Sequence, residues 1–246
     1  MANLNNTKMI DSYEEVLNEL SSKIGKKITI DQLFESGMNK IIRIDKDKID
    51  REWEKLKGRI INGRIINKEE DVYVRSHGRN GSGNIKLIPL LKEVFDMKFE
   101  TDSTNNSKPK SLLKRCCGDE YQNYQISHIF EERTNNPFLF TAPWMVCFTP
   151  KIIDPFTGHE SKGYPELRRK FTQWAYDTNK KYIENYNKLI LRYWKRLKAL
   201  FDEEKYRDDE KFRERMIIAL APIKLDYELL DSEERKAKYI EEFNKL

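Results

Sequence analysis

The sequence predicts an α+β protein, predominantly helical, with a small β-containing core between about residues 71 and 163. Three observations predict this class. Leu167, Phe171, Trp174, Thr178, Tyr182, Tyr186, Leu189, Tyr193, Leu197 and Leu200 recur every three or four residues, close to the helical period of about 3.6. Upstream, Ile49, Trp53, Leu56 and Ile60 repeat that spacing within a heavily charged stretch. Between these two stretches, residues 121–163 hold four of the eight prolines and several short apolar runs, a pattern of turns and extended pieces. Three regions follow: 1–70, helical; 71–163, the α+β core; 164–246, helical. No obvious linker marks a boundary near residue 70.

The elements follow in order. Asp11 or Ser12 can cap a helix running to about Lys23, with Tyr13, Val16, Leu17 and Leu20 on its apolar face. Ile28-Thr29-Ile30 reads as a short extended piece opening another helix at Asp31. Asp47 to Ile61 reads as an amphipathic helix, and Val72-Tyr73-Val74 as a short strand. The glycines of Gly78–Gly83 require a turn or loop, and a helix from Leu87 to Phe95 follows. Asp102 to Lys110 is polar and turn-rich, a predicted loop before a short helix from Ser111 to Cys116. Tyr124-Gln125-Ile126-Ser127 predicts a strand ending at His128, and Phe138–Phe140 and Val146–Phe148 two further extended pieces. Pro165 suits the first turn of the long helix.

Composition narrows the function. The chain has 246 residues, 38% hydrophobic and 35% charged, with 12 Tyr, 12 Phe and 4 Trp. Disordered chains are poor in aromatics, so this is a folded protein with a charged surface. No run approaches the ~18 consecutive apolar residues of a membrane helix, and the polar start lacks the apolar stretch of a signal peptide. Three cysteines (Cys116, Cys117 and Cys147) have no metal-binding spacing and give no disulfide framework. A cytoplasmic location and no membrane partner are therefore expected. The net charge of +5 is uneven: residues 162–198 carry +8, whereas residues 199–246 carry −4. The basic stretch is either a phosphate-contacting surface or the solvated face of an ordinary amphipathic helix. The acidic tail could also pair with it, as in a helical interaction protein.

The chemistry-bearing residues cluster in the middle region. They are Ser127-His128, then Asn135-Asn136-Pro137, then Asp154-Pro155-Phe156-Thr157-Gly158-His159-Glu160. A His ending a strand, an Asn in the next loop and a second His about 30 residues on resemble the HNH nucleases, which have the ββα-metal fold. The resemblance covers about residues 125–160. Ser127 stands where that family commonly has Asp, and Trp144-Met145 where its middle Asn would fall. The resemblance implies that His128 is a general base, that Asn136 supports the loop or orients the base, and that Asp154 and His159 bind Mg²⁺ or another divalent cation. It implies a double-stranded DNA partner and, for a restriction-type enzyme cutting a palindrome, a two-fold dimer. Such chemistry needs an activated water and a cation against the developing charge. Lys151, Lys162, Arg168 and Arg169 are candidate phosphate contacts, and Arg75, His77 and Arg79 flank or enter the glycine loop, whose N–H groups could hold a phosphate.

Two other readings stay open. Asp154 with Glu160-Ser161-Lys162 is similar to the PD-(D/E)xK nucleases, where carboxylates bind Mg²⁺ and the Lys assists the water. A non-catalytic nucleic-acid-binding protein could use the basic helix alone. Pro155 and Gly158 predict a turn around Asp154, and His128 could equally be a packed structural side chain.

Overall fold

A computed structural model describes residues 11–62, 71–78, 81–104, 106–118, 121–130, 132–157, 164–203, 206 and 208–246. The architecture is α+β and predominantly helical, with two small two-stranded sheets among the described residues.

The N-terminal helices are set by their caps. Asp11 accepts from the N–H groups of Tyr13 (2.8 Å) and Glu14 (3.2 Å) and opens α1, Ser12–Ile24. Thr29 and Gln32 form a reciprocal capping box at the start of α2, Ile30–Met38, which satisfies two otherwise orphaned donors. In α3, Lys46–Asn62, Ile49, Trp53, Leu56 and Ile60 are all buried, as their spacing predicts. On α1 only Leu17 is buried, while Val16 and Leu20 remain exposed.

β1 (Tyr73–Arg75), α4 (Asn84–Phe95) and β2 (Glu100–Asp102) form a compact βαβ unit with β1 and β2 parallel, Arg75 lying opposite Asp102. The glycine loop closes tightly on itself. Gly83 donates to the carbonyl of His77 (2.8 Å), and a Cβ at Gly83 would meet the His77 ring at 1.9 Å. The glycine is therefore required by close packing.

The loop predicted over 102–110 is corrected at both ends. Asp102 is paired in β2, and α5 (Ser107–Cys117) begins inside the predicted loop. The Asp102 carboxylate decides this. It accepts from the N–H of Thr104 (3.0 Å), the hydroxyl of Ser107 (2.8 Å) and the N–H of Lys108 (2.8 Å), fastening the first turn of α5. Burial opposes its charge, but these bonds together hold its carboxyl below the usual value.

β3 (Tyr124–His128) and β4 (Val146–Pro150) pair antiparallel, with His128 opposite Val146. Ile42 adds a bridge to Phe148 on the far side of β4. The connection across residues 129–145 is made of turns, so the extended piece expected at Phe138–Phe140 is overturned. Asn136 turns it: its side chain accepts from the N–H of Phe138 (2.9 Å), and its carbonyl accepts from those of Leu139 and Phe140 (both 3.0 Å). After β4 the turn expected around Asp154 is a one-turn helix, α6, Asp154–Thr157.

α7, Pro165–Phe201, is 37 residues long, about 55 Å at 1.5 Å per residue. Its buried positions include Phe171, Ala175, Tyr182, Tyr186, Ile190, Trp194 and Phe201. The face is wider than the predicted stripe because α2, α4, α6, α8 (Glu210–Leu220) and α9 (Leu225–Glu228) all pack on it. α10, Ser232–Asn244, closes the chain against α8 and α9. One hydrophobic core runs through all three sequence regions, from Phe34 to Phe243. No helix among the described residues is long and apolar enough to cross a membrane.

Candidate active site

The long β3–β4 connection is fastened to the C-terminal helices by a buried ionic cluster that sequence reasoning missed. Arg133 is fully buried and donates to the carbonyls of Ile218 (3.0 Å) and Ala221 (2.7 Å) and to the Glu228 carboxylate. Tyr239 donates to Glu228 (2.9 Å), and Arg235 lies 3.5 Å from its other oxygen. Burial disfavours the Glu228 charge, but the two guanidiniums outweigh it and lower its pKa. Beside this anchor, Asn136 donates to the Tyr186 hydroxyl (2.7 Å) and the Ala219 carbonyl (2.8 Å). Every polar group of the Asn136 side chain is thus engaged inside the protein. It fastens the loop, and its amide is closed to direct catalysis.

That anchored loop orients His128. The Nε2 of His128 lies 2.9 Å from the carbonyl oxygen of Phe140, and the ring stacks on Phe140 at 5.5 Å. A carbonyl only accepts, so Nε2 carries the hydrogen and Nδ1 presents a lone pair. Among the described residues Nδ1 has no hydrogen-bond partner. Burial is the main cause that pushes the imidazole pKa down to about 4; the Phe140 carbonyl opposes this and the nearby Arg75 charge adds to it. At pH 7 the ring is neutral and able to take a proton.

His128 lines a cleft of about 790 Å³. Asp154, at the start of α6, lines it too, so the β3–β4–α6 order brings two of the sequence candidates to one cavity. Arg75, at the end of β1, also lines it. The cleft also receives Lys211 and Arg215 from α8, which sequence reasoning did not single out, with Glu132 and Glu214 as further carboxylates. The only sequence signal for Arg215 was its place on a helix; its proximity to Arg75 is set by packing across some 140 residues. Among the described residues no group of three or more His, Cys, Asp or Glu could hold a metal. Mg²⁺ does not need such a group, since it keeps several waters and binds through one or two carboxylates. Asp154 fits that requirement.

The other candidates fall elsewhere. His159 and Lys162, with Glu160 of the PD-(D/E)xK reading, lie outside the described residues, as does Arg79. Asp154 itself opens the one-turn helix α6. Lys151 is exposed in the turn after β4 and is not among the cleft residues. Arg168 and Arg169 are not among the residues that line the cleft. Arg168 donates to the carbonyl of Leu230 (3.2 Å), and Arg169 to that of Leu229 (3.4 Å) and to Glu166 (2.6 Å). The chain after α9 lies over this part of α7 and draws both guanidiniums to its carbonyls. Further along α7, Lys170 pairs with Asp31 (2.7 Å) and Lys181 with Asp50 (2.9 Å).

A family model described as "Uncharacterised protein PM1201" matches residues 44–245. The chain belongs to that family. The uncharacterized protein PM1201 of Pasteurella multocida (strain Pm70) is 38% identical to this chain over 188 residues, covering 73% of this chain and 81% of that protein. No solved structure matches. The PM1201 match begins two residues before α3 and runs through α10. Both walls of the cleft and the Arg133–Glu228 anchor lie within it, whereas α1 and α2 precede it.

Proposed function

We propose that this protein is a divalent-metal-dependent DNA endonuclease of the HNH type, hydrolysing phosphodiester bonds with His128 as general base. The observation that carries this reading is the His128 ring, held through Nε2 on the Phe140 carbonyl while Nδ1 presents its lone pair in a cleft shared with Asp154 and Arg75. A water beside Nδ1 gives up its proton there as its oxygen attacks phosphorus. The P–O bond to the leaving oxygen breaks, and the proton passes on to that oxygen, so one strand end keeps the phosphate and the other becomes a hydroxyl. The Phe140 carbonyl fixes the tautomer, and the anchored 129–145 loop keeps the ring from turning away. Asp154, joined by His159 from the adjoining segment, would hold Mg²⁺, which when bound neutralises charge on the phosphate and leaving oxygen. A two-fold dimer cutting both strands of a palindrome is the restriction-type form of this activity.

The test is plasmid cleavage with Mg²⁺, with and without EDTA. Wild-type protein should nick or linearise the plasmid only when the metal is present. His128→Ala should lower the rate by about 10²–10⁴-fold, the usual contribution of a positioned base, while DNA binding persists. Binding without any cleavage by the wild type would leave a non-catalytic DNA-binding protein.

A further inference from the structure

Two arginines that line the cleft with His128, Arg75 and Arg215, are tied to one buried side chain. Asn135 is 1% exposed and bridges them. Its side-chain N–H₂ donates to the backbone carbonyl of Arg75 (2.8 Å), and its Oδ1 accepts from Nε of Arg215 (3.2 Å). The N–H of Arg75 in turn donates to the carbonyl of Thr134 (3.0 Å). One short loop segment therefore positions both arginines, although they come from β1 and α8. Both side chains are exposed and line the cleft with His128. Among the described residues neither guanidinium is in an ion pair, and Arg215 hydrogen-bonds only Asn135. Each is close enough to the cleft's other charges to matter. The Arg215 pKa is lowered first by burial and then by Arg75, with Glu132 opposing, and Arg75 also disfavours a proton on His128. Two like charges in one cleft repel, and neither is in an ion pair with the cleft carboxylates Glu132 and Glu214; a guanidinium's planar donors match phosphate oxygens.

We propose that Arg75 and Arg215 form the phosphodiester-binding subsite of this protein, with Asn135 as the residue that positions them. The nucleic-acid backbone then lies across the cleft between β1 and α8, not along the basic face of α7. This rests on the nuclease reading for the nature of the ligand, and it adds a path for the strand and two residues not on α7.

The experiment measures binding of a fluorescently labelled 20-base-pair DNA duplex by anisotropy in EDTA, where no cleavage occurs, across a range of KCl concentrations. Arg75→Ala and Arg215→Ala should each weaken binding by roughly tenfold and lower the slope of log affinity against log salt by about one, as loss of one phosphate contact requires. Lys170→Ala and Lys181→Ala on α7 should bind within about twofold of wild type. Asn135→Ala should weaken binding alone yet add little in the Arg215→Ala background, the non-additivity that separates a positioning role from general destabilisation. Thermal unfolding of each variant checks the fold, and both arginines are exposed enough to replace without disturbing it. Wild-type binding that is unchanged in Arg75→Ala and Arg215→Ala overturns this inference and leaves the nuclease reading standing. The same follows if only the α7 variants weaken binding. No binding of the duplex by the wild type sinks the nuclease reading and the subsite together.

Discussion

Two parts of this molecule are rich in cations, and they differ in what the cations face. Along α7, Lys170 and Lys181 meet Asp31 and Asp50 of the N-terminal helices, and Arg168 and Arg169 meet carbonyls after α9. In the cleft, Arg75 and Arg215 meet an amide and backbone atoms but no carboxylate among the described residues. Residues 162–198 carry +8 in sequence, the larger excess, and the cations at the start of that stretch are drawn onto neighbouring elements, Lys170 to Asp31 and Lys181 to Asp50. The few cations of the cleft are left for something else. Net charge along a chain therefore ranks candidate surfaces poorly until the partners of each charge are known.

The sharpest way to break the comparison is to remove what holds the cleft together. Arg133→Ala leaves Glu228 buried beside Arg235 alone and should destabilise the fold by about 3–5 kcal/mol, as loss of one partner of a buried ion pair does. Chemical denaturation would read this directly, and a loss under 1 kcal/mol would mean that the anchor is dispensable.

A smaller effect comes from pH. The folded-state pKa of His128 is about 4, below the usual 6.5. Above pH 6.5 the ring is neutral in both folded and unfolded chains and costs nothing. Between pH 6.5 and 4 the unfolded chain takes up a proton that the folded chain refuses, so stability falls, by about 3 kcal/mol in all at ~1.4 kcal/mol per pH unit. His128→Gln should abolish that part of the pH dependence, so its stability difference from wild type should change between pH 7 and pH 4.5. The same pKa predicts that the acidic limb of any cleavage profile lies well below pH 6.5. A limb centred at 6.5 or above would mean that the ring is better solvated than its place against Phe140 implies.

Asp102→Ala removes four accepted hydrogen bonds at the entry to α5 and should cost about 1–2 kcal/mol, the upper range for a helix-capping side chain. Its carboxyl is held below the usual value, so its contribution is present at neutral pH and lost as pH falls through the acid range. The smallest effect belongs to α7: Lys181→Ala and Lys170→Ala remove exposed, solvent-screened pairs and should leave the denaturation midpoint close to that of the wild type. A larger loss would show that these pairs, rather than core burial, dock the N-terminal helices.

Periodicity made the helices legible. Ile49, Trp53, Leu56 and Ile60 repeat at helical spacing and all four are buried. The strand ending at His128 was equally plain, since the polar turn residues Gln122 and Asn123 precede Tyr124–His128. Phe138–Phe140 was not, because an apolar triplet has no period and the Asn136 side chain, not hydrophobicity, turned it into a tight bend. β2 and the start of α5 were hidden for a similar reason: Asp102 reads as a loop residue until its carboxylate is seen gathering the N–H and hydroxyl groups of the next turn. In the site, His128 and Asp154 stood out by residue type and spacing. Arg215, Asn135 and the Arg133–Glu228 anchor did not, since each works through a residue 60–95 positions away.

The sequence by itself therefore determined the helical frame, the hairpin and the residues able to do proton chemistry, because helix period, strand boundaries and side-chain chemistry are local properties. Only the tertiary structure decided which charges are paired, that Asn136 is closed off inside the loop, and that Arg75 and Arg215 line one cleft with His128. Those outcomes depend on which distant elements share the core, and hydrogen bonding and Coulomb forces act on distance in space, not along the chain.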